Sequence, residues 1–233
     1  MNDSGYKFEV EEYAIIGRTF TEYVHMFDLD LATLNGPVLD CPSGVGSFVA
    51  GANERGIPAL GSDIIYNQSS EELEQRCRKD YEQVASQLPE KADLFNWDFY
   101  GDIERRQQFL KQAYEAFLDD YATEHEQDRY IHAALPDLPF PTDSFSIVLS
   151  AHFLFLYGDR LDYTFHLDSL RELARVAADE VRVFPLVGLD TEQYRHLDAI
   201  IQALREDGLT ADRVNVPFEF QKGANEMLVI SCG

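Results

Sequence analysis

The run Asp40-Cys41-Pro42-Ser43-Gly44-Val45-Gly46 sets a carboxylate, a tight turn and two glycines side by side. Gly44 and Gly46 lack a Cβ, so the backbone there can pass close to a ligand. A helix starting at this turn would add exposed N–H groups and a partial positive charge, which suit a carboxylate-bearing ligand. Asp63 lies 17 positions beyond Gly46, near the spacing at which an acidic residue meets ribose hydroxyls in nucleotide-binding sheets. Two carboxylates at adjacent strand ends fit a nucleoside-containing ligand better than a pyrophosphate. The third glycine of the dinucleotide fingerprint is absent, because Val49 stands there; a nicotinamide site is therefore the weaker reading, and a ligand-free strand-to-helix turn is the other alternative. Farther along, His152 follows an apolar run and offers a neutral imidazole as proton acceptor, or else a satisfied histidine between Ala151 and Phe153. Arg18 can pair in a bidentate way with a ligand carboxylate, or with one of the chain's own acids.

These groups need a sheet to hold them. Val38 to Asp40 is a short apolar run, followed by the turn and by Phe48, Val49 and Ala52 on one helical face, with Gly56 as the C-terminal stop. Ile57 to Ile64 is expected as the next strand, and strand, turn, helix, strand opens a parallel α/β sheet. Phe145 to Ser150 is a further strand, and Leu170, Leu173, Ala174 and Ala177 mark an amphipathic helix. Glu180 to Val187 is expected as a strand, with Asp190 and Gln193 as a capping box for a helix carrying Leu197, Ile200, Ile201 and Leu204. Val214 to Phe220 and Glu226 to Cys232 are expected to pair as an antiparallel hairpin. The expected fold class is thus α/β, a mostly parallel sheet ending in that hairpin, with helices on both faces.

A length of 233 residues fits one domain with elaborations. Residues 1–36 are expected to form an N-terminal helical cap carrying Tyr13, Phe20, Tyr23 and Phe27. The connection from Asp63 to Tyr130 is too long for a simple crossover. Two apolar stripes make residues 66–129 a helical insertion between the second and third strands: Leu73, Cys77, Tyr81, Val84 and Leu88, then Leu110, Tyr114, Phe117, Leu118 and Tyr121. Cap and insertion together are expected to form a lid at the ligand edge, with aromatic walls drawn from Tyr13, Phe20, Trp97 or Tyr100.

Composition bounds the partners. With 19 Lys+Arg against 42 Asp+Glu the formal charge is −23, so nucleic acid and anionic membranes are repelled and neither is expected as a partner. The acidic balance resembles that of proteins from salt-loving organisms, whose carboxylate surfaces stay solvated in concentrated salt. Three scattered cysteines support neither a disulfide framework nor a metal cluster, and MNDSGYKFEV lacks the cationic start and apolar core of a secretion signal. A cytoplasmic protein without a resident metal is expected.

On these motifs the chain resembles the class I S-adenosylmethionine-dependent methyltransferases, of the type 11-like kind in an acidic, halophile-type version. VLDCPSGVGSF resembles their first motif, Asp63 the acidic residue on the ribose, and LPFPTDSFSIVLSAHFLFLY, from Leu138 to Tyr157, their loop, fourth strand and following turn. The likeness covers about residues 38–64 and 130–232. It implies a Rossmann-like sheet and S-adenosyl-L-methionine as cofactor, leaving S-adenosyl-L-homocysteine as product. Asp40, Pro42, Ser43, Gly44, Gly46, Asp63, Ile64, Ala134, Leu135, Ser150 and Arg18 would bind it. His152 would be the catalytic base, and Tyr13, Phe153 and Tyr157 would line the pocket of a small-molecule acceptor. Three departures matter: Pro42 replaces the usual first glycine, Ala134 an acidic residue that holds the adenine amino group, and Ser146 a common aspartate. They leave a cofactor-binding protein without catalysis as one alternative, and a protein methyltransferase is another. The acceptor and the oligomeric state are left open.

Overall fold

A computed structural model describes residues 13–34, 36–123 and 129–233. The chain builds α1 (Phe20–Met26), β1 (Val38–Asp40), α2 (Phe48–Glu54), β2 (Ala59–Asp63), α3 (Ser70–Gln87), α4 (Ile103–Tyr121), β3 (Tyr130–His132), β4 (Phe145–Ala151), α5 (Tyr163–Val176), β5 (Ala177–Phe184), α6 (Leu197–Glu206), β6 (Thr210–Asn215) and β7 (Glu226–Ser231). The strands form one sheet in the order β3-β2-β1-β4-β5-β7-β6. β1 to β5 run parallel, and β7 lies antiparallel between β5 and β6. This is the Rossmann-like sheet expected from the sequence, and its order reverses beside β1, where open α/β sheets place their ligands.

The two sheet faces bury separate cores because side chains alternate along each strand. Val38, Ile147 and Leu149 face one core, shared with Phe48 of α2, Leu73 of α3 and Phe117 of α4. Leu39, Val148, Val181 and Ile230 face the other, closed by Leu170 and Leu173 of α5 and by Leu197, Ile200 and Leu204 of α6. Helices therefore cover both faces, and the insertion lies on the same side as α2.

Several boundaries differ from expectation. α5 stops at Val176, and Ala177 already opens β5, which ends at Phe184 before Pro185. The proline lacks the N–H that a continuing ladder would need. Asp190 and Gln193 form no capping box: α6 begins at Leu197 after His196, and Asp190 Oδ1 accepts from the Glu192 N–H instead. The hairpin pairs Thr210–Asn215, not Val214 to Phe220, with β7. Pro217 breaks the strand, and the run beyond it turns inward, burying Phe218 and Phe220 against Phe95, Phe99 and Tyr100 of the insertion. Among the described residues of the N-terminal cap, 13–19 have no regular secondary structure and only α1 is helical; residues 1–12 and 35 lie outside the described residues. No helix among the described residues is long and apolar enough to cross a membrane.

Candidate functional site

The Gly-rich turn sits at the carboxyl end of β1, and its shape is set from inside the protein. Asp40 is wholly buried; its carboxylate accepts from the Tyr23 hydroxyl at 3.0 and 3.1 Å and from the Ser43 hydroxyl at 2.7 Å. It thus ties α1 to the turn, and it does not line the cleft. Burial pushes its pKa up to about 7, against the lowering by Ser43 and Tyr23. Four donors of the turn are consumed as well: Ser43 N–H goes to Ser62 O, Gly44 N–H to Asp63 Oδ2 at 2.8 Å, Gly46 N–H to Ser43 O and Ser47 N–H to Arg18 O. Four of the turn's N–H groups are therefore spent on the fold. Gly44 does keep its expected openness, with φ +55 and free space where a Cβ would stand.

Before this turn runs a cleft of about 510 Å³, lined by Pro42, Ser43, Gly44, Asp63, Ile64, Ala134 and Leu135, by Arg18 and His152, and by Tyr13, Phe153 and Tyr157. Of the expected site residues, three do not line it. Asp40 is the first. Gly46 faces the Arg18 backbone, and Ser150 is buried within the sheet with no hydrogen-bond partner for its Oγ among the described residues. Asp63 is 9% exposed and Ile64 60% exposed, so a carboxylate and a bare aliphatic face stand together at the end of β2. The carboxylate accepts from the Gly44 and Ile65 N–H groups, and burial raises its pKa. Ser146, by contrast, lies at the amino end of β4, its hydroxyl donating to Pro37 O, and does not line the cleft.

The cleft is roofed by a strap, residues 13–19. Ala14 N–H donates to the Tyr157 hydroxyl at 3.1 Å, Ile15 N–H to Asp80 Oδ2 at 2.9 Å, and Arg76 of α3 to Tyr13 O at 2.9 Å. The N-terminal segment and α3 of the insertion thus meet beside the cleft. Gly17 makes the closest approach, since a Cβ there would collide with the Val45 carbonyl. The aromatic walls differ from expectation, however: Phe20 is buried against Phe48, and Trp97 and Tyr100 pack behind the strap against Phe220. Tyr13 with Phe153 and Tyr157 forms the aromatic group of the cleft, with ring centres 5.7 and 4.9 Å from Tyr13.

His152 follows β4 with φ +53, held by its N–H to Phe184 O at 2.7 Å. Its Nδ1 has no hydrogen-bond partner among the described residues. Burial, then Arg18 and Arg106, drive its pKa well below the ordinary value, so the imidazole is neutral. The satisfied core histidine is not what the structure shows. Arg18 is beside the turn as expected, its Nη1 donating to Ile16 O and Gly17 O and its Nε 3.7 Å from Glu22 Oε1. Two residues were missed. Glu22 completes a capping box with Thr19, readable as Thr-x-x-Glu. Arg106 stands four positions before Leu110 on the buried stripe of α4, a charge on an apolar face.

No protein-family model matches the chain. An uncharacterized protein of Methanocaldococcus jannaschii is 35% identical over 222 residues, covering 95% of this chain and 97% of that one. Among solved structures, magnesium protoporphyrin IX methyltransferase from Synechocystis, with bound S-adenosylmethionine, aligns over 87% of this chain and 73% of its own, at 14% identity and a TM-score of 0.43. An S-adenosylmethionine-dependent methyltransferase from Aquifex aeolicus aligns over 90% of this chain and 92% of its own, at 14% identity and a TM-score of 0.41.

Proposed function

The chain belongs to the family of the uncharacterized Methanocaldococcus jannaschii protein MJ0045, and from the site that this sequence builds we propose that it binds S-adenosylmethionine and methylates a small-molecule acceptor. The observation that carries this reading is the cleft at the carboxyl end of β1 and β2, where Asp63 and exposed Ile64 flank the open face of Gly44. Asp63 has lone pairs left beyond its two backbone bonds for vicinal hydroxyls, and Ile64 with Leu135 offers apolar surface to a flat base. The volume of about 510 Å³ suits a nucleoside carrying an amino-acid arm. With four of the turn's N–H groups taken, Arg18 is the charged group placed to meet that arm's carboxylate.

When bound, S-adenosylmethionine supplies a methyl group on a sulfonium, and its transfer is an in-line displacement that depends on orientation and dryness. The strap and the aromatic group of Tyr13, Phe153 and Tyr157 exclude water from that end of the cleft. His152 is the group that takes a proton from the acceptor atom where that atom must lose one, because its imidazole is neutral and its Nδ1 uncommitted among the described residues. The acidic surface is read as salt adaptation, so molar KCl should raise the melting temperature by screening self-repulsion; a flat or falling curve returns those carboxylates to a partner-binding role.

Calorimetric titration with S-adenosylmethionine and S-adenosylhomocysteine tests the main reading. Asp63→Ala should weaken both by about 1.5–3 kcal/mol, the scale of lost hydrogen bonds to a charged group, and Asp63→Asn, which keeps an acceptor oxygen, by less. Unchanged affinity in Asp63→Ala removes the ribose role, and a parent chain that binds neither ligand removes the function.

A further inference from the structure

Behind the strap lies a second, inner chamber of about 120 Å³, which shares Ala14, Ile16 and Arg18 of the strap, and also His152, with the cleft. Its far wall is made by Leu110, Phe184 and Phe220 together with Arg106. The strap and His152 are thus the partition between the two spaces. We propose that this chamber is the acceptor site and that it takes a small carboxylic acid with an apolar body, its carboxylate against Arg106; this rests on reading the outer cleft as the cofactor site.

The argument is one of charge and unused donors. Arg106 is 3% exposed, and its Nε and Nη1 have no hydrogen-bond partner among the described residues. Such a group is costly in a folded chain unless something pairs with it. Its guanidinium lies 4.8 Å from the Tyr100 ring centre and 4.9 Å from that of Phe220, contacts that offset part of the cost and supply no hydrogen-bond acceptor. The buried carboxylate nearby is already engaged. Glu22 Oε2 accepts from Thr19 N–H and Oγ1 at 2.7 and 2.9 Å, and Oε1 accepts from the Tyr100 hydroxyl and faces Arg18 Nε. With Glu22 committed to Thr19, Tyr100 and Arg18, the guanidinium of Arg106 is left without a hydrogen-bonded counter-charge among the described residues. Among the described residues, no Asp or Glu lines the chamber.

A monoanion matches the single guanidinium of Arg106, whereas a phosphate dianion would exceed it in charge and find few donors. Size and lining bound the ligand: the chamber is somewhat smaller than a cavity of about 150 Å³ that takes benzene, so the acid is a short aliphatic one, and the chamber walls are chiefly aromatic and aliphatic. An acceptor anchored by its carboxylate at Arg106 must carry a hydroxyl or amine at its other end, toward the partition where His152 meets the outer cleft; that atom forms the bond to the methyl group as the bond from the methyl to the sulfonium breaks, and gives up its proton to His152.

The test titrates the full chain, with and without S-adenosylhomocysteine, with propanoate and 3-hydroxypropanoate and with their neutral amides. Both acids should bind at least about tenfold more tightly than the amides, as expected for a charge-assisted pair. Arg106→Met should abolish that preference while changing S-adenosylhomocysteine affinity several-fold less than acid affinity, because its effect on the cleft passes only through the shared Arg18 and Glu22. Arg106→Lys, which keeps the charge, should retain part of the preference and serves where the Met variant does not fold. Equal binding of acid and amide, no binding of either acid, or undiminished acid affinity in Arg106→Met overturns the proposal. Acid binding by a chain that ignores S-adenosylhomocysteine would uphold the chamber and sink the cofactor reading instead.

Discussion

Glu22→Gln is expected to destabilise the chain by about 3–5 kcal/mol, the range for removing one partner of a buried ion pair. For a chain of this size that is a fall in melting temperature of about 6–20 °C. Glu22 is fully buried and holds three elements together: the start of α1 through Thr19, the insertion through Tyr100, and the strap through Arg18. A carboxamide keeps an acceptor oxygen but removes the counter-charge that Arg18 and Arg106 share. The cluster then carries two uncompensated guanidiniums. Adding Arg106→Met to Glu22→Gln returns the excess to one, so the double variant should recover part of the loss, with a coupling of about 1–3 kcal/mol. Thermal melts of the parent, both single variants and the double variant measure this. A Glu22→Gln melt matching that of the parent, or strictly additive variants, would show that the charges are screened from one another and that the chamber holds no uncompensated cation.

How much of this was legible beforehand follows from where each signal lives. The turn from Asp40 to Gly46 and the two strands around it were readable because short apolar runs and glycines are local features, and β1 and α2 fall where expected. Asp63, His152, Arg18 and the aromatic trio also reach one cleft, since strand ends in a parallel sheet share an edge. Orientation was not legible. Asp40 has the right position and the wrong direction, facing Tyr23 and Ser43 inside the protein. Whether the turn's N–H groups remain open depends on Arg18 and Asp63 arriving from distant parts of the chain, which no spacing within the motif reveals. The same holds for the aromatic walls. Phe218 and Phe220 looked like alternating strand residues, and only the break at Pro217 sends them into the insertion. Arg106 could have been noticed as a charge on the apolar stripe that carries Leu110 and Phe117, although its excess over Glu22 emerges only when the charges are counted in three dimensions.

The buried Asp40 carries a pH signature that separates its positioning role from any direct contact with ligand. Its pKa in the folded chain is about 7 against an ordinary 3.8, raised chiefly by burial. Below the lower value both folded and unfolded chains hold the proton, and ionisation exerts no penalty. Between the two values the unfolded chain releases the proton while the folded chain keeps it, so stability declines as pH rises through this window, by up to about 4 kcal/mol at roughly 1.4 kcal/mol per pH unit. Above the folded value the penalty is complete and flat. Asp40→Asn has no proton to lose, so its advantage over the parent should grow from about pH 4 to pH 7 and then level off. General repulsion among the surface carboxylates also grows with pH, but it acts on both proteins and cancels in the difference. Ionised Asp40 draws both the Tyr23 and Ser43 hydroxyls toward it as donors, whereas the protonated form needs one of them to turn and accept. The Gly-rich turn and α1 are therefore held most firmly once the proton has left, even as the whole fold is weaker, and cofactor affinity should rise across the window in which stability falls. Denaturant titrations and calorimetry over the same pH series read the two trends separately. Parallel stability curves for parent and Asp40→Asn would show that Asp40 is already ionised throughout, and the opposed trends would then have no source in this residue.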